Sequence, residues 1–161
     1  MAPHLPKNTM RFTEQINIDT TPKQVWPFLA DPVLQAAWNS KIILISRPHE
    51  GLVITDETYG MTNTHSNTQR ETEVHVVEVI DAQQLTFEYR SVKADSALVV
   101  IDTFTLTPTD SGTRVEQTID LSKSAFPWPV RLLVRFVMKF GKRTNASQFI
   151  GLKQMVESEQ A

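Results

Sequence analysis

The chain has no cysteine, and that absence removes disulfides, thiolate nucleophiles and cysteine-based metal sites together. Only five glycines occur in 161 residues, too few for a phosphate-cradling loop or a dinucleotide signature, and none forms a Gly-x-Ser-x-Gly elbow. The four histidines (His4, His49, His65 and His75) never fall at His-x-x-x-His spacing, so neither a metal nor a cofactor is expected. The longest apolar stretch is cut by Arg131, Arg135 and Lys139, too soon for a transmembrane segment. Met1 to Lys7 carry no apolar h-region, so no signal peptide is expected. Together with the missing cysteine, this points to a cytoplasmic protein.

Acidic residues are also missing from one long stretch. Between Leu121 and Val156 there are seven basic residues and no acid, whereas residues 1–120 hold nine basic residues against sixteen acids. The basic stretch is either the solvent side of a long helix or a face that meets an anionic surface. It lacks interleaved exposed aromatics and the whole chain is acidic, which argues against nucleic acid as a partner.

What is present is a period-two pattern closed by one long apolar segment. Residues 1–9 read as a loose arm and 10–157 as one domain. A strand carrying Phe12, Ile16 and Ile18 is followed by Thr20, Thr21 and Pro22, a helix start with proline at the first position. That helix holds Val25, Trp26, Phe28 and Leu29 and ends near Asp31-Pro32; a second short helix covers Val33 to Trp38. Strands then follow near Ile42–Ser46, Val53–Met61, Thr72–Val79, Leu85–Ser91, Leu98–Thr107 and Thr113–Leu121. Short consecutive strands with tight turns form an antiparallel meander. Phe126 to Glu157 is the only stretch long enough to be a major helix.

The turns register the strands. A turn at Thr109–Gly112 puts Leu106 opposite Val115 and Phe104 opposite Gln117. One around Lys93 puts Tyr89 opposite Leu98 and Phe87 opposite Val100. Side chains alternate faces, so one face collects Leu85, Phe87, Tyr89, Leu98, Val100, Asp102, Phe104, Leu106, Val115, Gln117, Ile119 and Leu121. Three polar residues, Tyr89, Asp102 and Gln117, are trapped on this apolar side. A carboxyl buried there has a raised pKa and can act as acid or base; pairing with a neighbouring hydroxyl or amide is the plainer role. Keeping Glu78 in water sends His75 inward, where it can shuttle protons, whereas a bulge turns it outward.

On a helical wheel through Phe126–Glu157, Val130, Leu133, Val134 and Val137 share a face with Gly141, Thr144, Gln148, Leu152 and Met155. Small and polar residues in the middle of a core-facing stripe mark a cavity lined by Thr144 and Gln148. The alternative is a phase slip at Gly141, because Phe149 and Ile150 fall on the Arg131 and Arg135 side. Burying six or seven large side chains contributes on the order of 10–20 kcal/mol gross. Five cations at an anionic surface contribute roughly 5 kcal/mol. The apolar face is therefore expected in the core, leaving only peripheral membrane contact.

Three stretches resemble the START-like (SRPBCC) superfamily, which includes the polyketide cyclase/dehydrase-like, Bet v 1-like and coenzyme-Q-binding proteins. They are Gln15 to Trp26 (QINIDTTPKQVW) with Leu29-Ala30-Asp31-Pro32 and Trp38, then Val77 to Phe87, then Thr103 to Val115 with the late Leu152-Lys153. The resemblance spans roughly residues 10–157. It implies an α+β helix-grip fold: a curved seven-stranded antiparallel sheet around a long C-terminal helix, with two short helices between strands 1 and 2. Thr55-Asp56-Glu57 and Pro127-Trp128-Pro129 depart from the pattern. A cavity between sheet and helix is implied, with Trp38 at its entrance. The expected ligand contacts are Trp38, Tyr59, Phe87, Tyr89, Phe104, Gln117, Thr144 and Gln148, with Asp102 and His75 as candidate catalytic residues. Three functions stay open: a binder of a hydrophobic or aromatic (lipid- or polyketide-like) small molecule, a cyclase or dehydratase, and a peripheral membrane-associated lipid- or quinone-binding protein. Either a monomer or a homodimer fits.

Overall fold

The computed structural model describes residues 10–93, 96–140 and 146–160, with side chains in its last two helices up to 137 and from 149. The expected arm at 1–9 and the cavity residues Thr144 and Gln148 lie outside the described residues or side chains. Seven strands and four helices follow in order: β1 (Arg11–Ile18), α1 (Pro22–Ala30), α2 (Pro32–Trp38), β2 (Ile42–Ser46), β3 (Thr58–His65), β4 (Thr68–Ile80), β5 (Gln84–Ser91), β6 (Val99–Thr109), β7 (Gly112–Asp120), α3 (Trp128–Phe140) and α4 (Ala146–Glu159). The strands form one antiparallel sheet in the order β1-β7-β6-β5-β4-β3-β2. This is the helix-grip arrangement expected from the sequence.

Local chemistry explains the elements. Thr21 caps α1 ahead of Pro22, and Gln24 Oε1 accepts from the Thr21 amide at 3.4 Å. Asp31 ends α1 and starts α2, its Oδ1 accepting from Val33 N at 2.9 Å. The β6–β7 register falls as the turn predicts, Leu106 opposite Val115 and Phe104 opposite Gln117. A Cβ on Gly112 would lie 2.2 Å from the Ile18 carbonyl oxygen, so only glycine lets that turn pass the end of β1.

Three expectations are corrected. The β5–β6 register is shifted by two: Tyr89 pairs with Val100 and Phe87 with Asp102. An even shift preserves faces, so the inner set survives. The stretch 53–57 is not strand; β3 begins only at Thr58, after a loop that Arg47 and Glu57 hold together. His75 does not point inward. A bulge between Val76 and Glu78 inserts Val77 as an extra residue, so Val74 and Val76 take the core positions, both fully buried.

The largest correction concerns the C-terminal stretch. α4 covers the core through Phe149, Leu152 and Val156, all buried, against β1, α1 and α2. In α3, by contrast, Leu132, Leu133 and Val137 are more than half exposed. The two helices do not share one inward face, because Phe149 is core while Leu133 and Val137 are not. The expected apolar N-terminal half that fills the core is therefore outside it. The physical reason is what each helix is held by: α4 packs on β1, α1 and α2, whereas α3 is tied through Arg131 to the carbonyls of Ser124 and Phe126 ahead of it. Continuity through Gly141 lies outside the described residues.

Candidate functional site

The inner face of the sheet and α2 enclose an open cavity of about 1300 Å³. Its walls mix apolar side chains, Trp38, Ile42, Met61, Leu98, Phe104 and Ile119 among them, with polar and charged ones, which include Lys41, Arg70, Glu71, Tyr89, Asp102 and Gln117. α4 approaches α2 closely enough that a Cβ on Gly151 would lie 2.9 Å from the Trp38 carbonyl oxygen. This contact seats Trp38, whose Nε1 donates to Phe28 O at 2.7 Å. Its N–H is thereby used, and the residue offers the cavity a ring face.

Asp102 is the chemical centre. It is 6% exposed, and Gln117 Nε2 donates to both of its oxygens at 3.0 Å. Burial pushes its pKa up to about 7, against the lowering effect of hydrogen bonds from Gln117 and the Tyr89 hydroxyl. All its partners are neutral, so their hydrogen bonds offset only part of the cost of a desolvated charge. The Tyr89 ring stacks on Phe87 with centroids 5.8 Å apart. Burial, then the nearby Asp102, holds the Tyr89 phenol well above its usual range.

Two further groups extend this polar patch. The Tyr59 hydroxyl is buried with no hydrogen-bond partner; burial raises its pKa, with Arg47 working against the shift. Glu14 on β1 pairs across from Gln117, and its Oε2 is likewise buried without a partner. Glu14 is absent from the sequence-derived set, although it alternates in phase with Phe12, Ile16 and Ile18.

A second buried cluster lies in the β2–β3 loop. Arg47 Nε meets Glu57 Oε1 at 2.5 Å, with side chains 3% and 7% exposed, and Arg47 Nη2 donates to Glu57 Oε2 at 3.2 Å. Arg47 Nη1 also donates to Gly51 O at 2.8 Å, and its guanidinium sits 5.7 Å from the Tyr59 ring centroid. Burial raises the Glu57 carboxyl, but Arg47, the Ile54 amide and His49 together bring it below the ordinary value. The spacing of ten residues carries no periodic signal, so sequence patterning misses this pair.

Of the sequence-derived site residues, Trp38, Tyr89, Asp102, Phe104 and Gln117 line the cavity. Phe87 and Tyr59 lie behind the wall, 1% and 4% exposed. His75 sits on the other face, its Nε2 3.5 Å from Asp56 Oδ1, and has no part in the site. Among the described residues, no cluster of three histidine or carboxylate side chains can hold a metal ion.

A curved antiparallel sheet that grips a C-terminal helix, with a cavity on its inner face, defines the helix-grip class. The chain belongs to the polyketide cyclase / dehydrase and lipid transport family, whose model matches residues 9–157. No curated protein matches the chain in sequence. Solved structures share the fold. A protein from Arthrobacter aurescens has a TM-score of 0.69 and 15% identity over 93% of this chain and 87% of its own. Protein Ms6760 from Mycobacterium smegmatis has a TM-score of 0.67 and 14% identity over 94% of each chain. Ara h 8.0201 has a TM-score of 0.63 and 15% identity over 92% of this chain and 97% of its own.

Proposed function

We propose that this protein binds a hydrophobic or aromatic small molecule, lipid- or polyketide-like, in the cavity between the inner face of the sheet and α2, and does so in the cytoplasm. The observation that carries the reading is the cavity, where apolar side chains such as Trp38, Met61 and Phe104 meet the convergent polar groups Tyr89, Asp102 and Gln117, as in a small-molecule site. Asp102, Tyr89 and Gln117 would orient a polar end of the ligand, while Trp38 and Phe104 take its apolar body. Native mass spectrometry and a hydrophobic fluorescent probe test it. Val100→Trp, which sets a large ring into the cavity wall, should weaken uptake. Probe uptake unchanged in that variant would overturn the reading.

A second reading, a cyclase or dehydratase, is favoured by one observation, the Asp102 carboxyl near neutrality. A group of that kind both gives and takes a proton at neutral pH, and the Tyr89 phenol stays protonated as its donor. Asp102→Asn should then abolish turnover of a poly-ketone substrate while leaving its binding measurable. Unchanged turnover removes the catalytic role and leaves the binding reading standing.

A further inference from the structure

α3 is amphipathic in the wrong place for a core helix. At 100° per residue, Arg131 and Arg135 lie within about 40° of each other, and Leu132, Leu133 and Val137 fall in a wide arc away from them. That arc is solvent-exposed: Leu132 54%, Leu133 61% and Val137 55%, with Trp128 at the helix start 74% exposed. A monomeric domain seldom leaves such a contiguous apolar face bare without a partner for it.

The root of this helix is built into the cavity rim. Ser124 Oγ donates to Val99 O at 2.9 Å and accepts from Val99 N at 2.8 Å. The Ala125 amide donates to Ala97 O at 2.9 Å, and the flanking residues Ser96 and Leu98 line the cavity. Arg131 locks the helix to this root, donating to Phe126 O at 3.0 Å and Ser124 O at 3.2 Å. The rim itself exposes Leu44 and Val92, 61% and 59%.

We propose that α3 docks this protein on an anionic lipid bilayer surface, placing the cavity mouth beside the membrane. Charge chooses this occupant. In sequence, Arg135 of α3 and the Lys139, Lys142 and Arg143 that follow it come with no acid, so a two-fold contact between copies through α3 would set like charges against each other. An anionic surface pairs with the cations while the apolar arc enters the headgroup boundary. The helix lies on the membrane and does not cross it: among the described residues, no helix is long and apolar enough to span a bilayer. The inference stands whether or not the cavity holds a ligand.

The full-length protein is co-sedimented with phosphatidylcholine vesicles, with and without phosphatidylglycerol, at low and physiological salt. Binding is expected only with phosphatidylglycerol and should weaken with salt. Leu133→Ser with Val137→Ser should lower the partition coefficient at least about tenfold, and Arg135→Gln about fivefold at low salt. Both variants should keep the wild-type melting profile and probe uptake, because these side chains are exposed and outside the cavity. Equal binding by wild type and variants overturns the proposal. So does failure of the double variant to fold, which would make α3 a packed helix. A wild-type dimer by light scattering that the double variant converts to monomer, with no vesicle binding, assigns the face to a second copy instead.

Discussion

Glu57 and Asp102 are both carboxylates shielded from water, one in a surface loop and one deep on the inner face of the sheet, and their acidities move in opposite directions. Glu57 is held below the ordinary value and Asp102 is raised to about 7. Depth and partners act together: Glu57 lies nearer the surface and meets a guanidinium through two hydrogen bonds, whereas Asp102 lies deeper and meets only an amide and a phenol. One site is a finished ion pair that fastens a loop. The other is an unfinished site facing a cavity, which is where functional groups with perturbed acidity gather.

The comparison breaks directly if Glu57 loses its partner. Arg47→Met keeps the stem but strips Glu57 of its guanidinium, leaving only the Ile54 amide and His49 beside it, which costs about 1–3 kcal/mol. A urea denaturation series at neutral pH should show that loss as a lowered midpoint. A change below about 1 kcal/mol would mean the pair contributes no more than an exposed one. Arg47 also reaches Gly51 O, so loosening of the 47–57 loop should accompany the loss.

How far each site can be read from sequence follows the same division. Asp102 is legible because alternation along β6 places it among Val100, Phe104 and Leu106, and alternation survives a register error of two. Its partner Gln117 is legible because Asp110-Ser111-Gly112 marks a turn that sets the β6–β7 register directly. Arg47 and Glu57 are not, because an irregular loop has no period to read. The phase of His75 stays open in the sequence for a related reason: the Val77 bulge that turns it outward is a property of the β4–β5 pairing, which neither strand alone decides. The exposure of α3 escapes as well, since amphipathicity shows that a face must be covered but not what covers it.

The second prediction turns on the sign of the Asp102 shift. Its folded pKa, about 7, lies above the ordinary 3.8, so between those values the folded state binds more protons than the unfolded. Stability from this group is therefore present at low pH and lost as pH rises towards and past 7. Asp102→Asn removes that loss. The variant should match wild type near pH 4 and exceed it by about 2–4 kcal/mol at pH 8, water in the cavity drawing the figure towards the lower end. Thermal melts across this range check it. A pH-independent difference between the two proteins would show that Asp102 is as well compensated as Glu57, and the contrast would collapse.

The smallest effect is expected at His75, and it sharpens the contrast by marking the far side of the sheet. Val74 and Val76 occupy the core side of β4, so His75 between them faces outward, where its ring meets Asp56 at 3.5 Å. The Asp56 side chain is 85% exposed and that of His75 40%, so water screens the pair. His75→Ala should change stability by no more than about 0.5 kcal/mol and leave probe uptake at the wild-type level. Weakened uptake would require the ring to reach the cavity. β4 would then have to run without its bulge, which would also turn Val74 and Val76 into water, and the variant's urea midpoint would show which of the two arrangements the strand adopts.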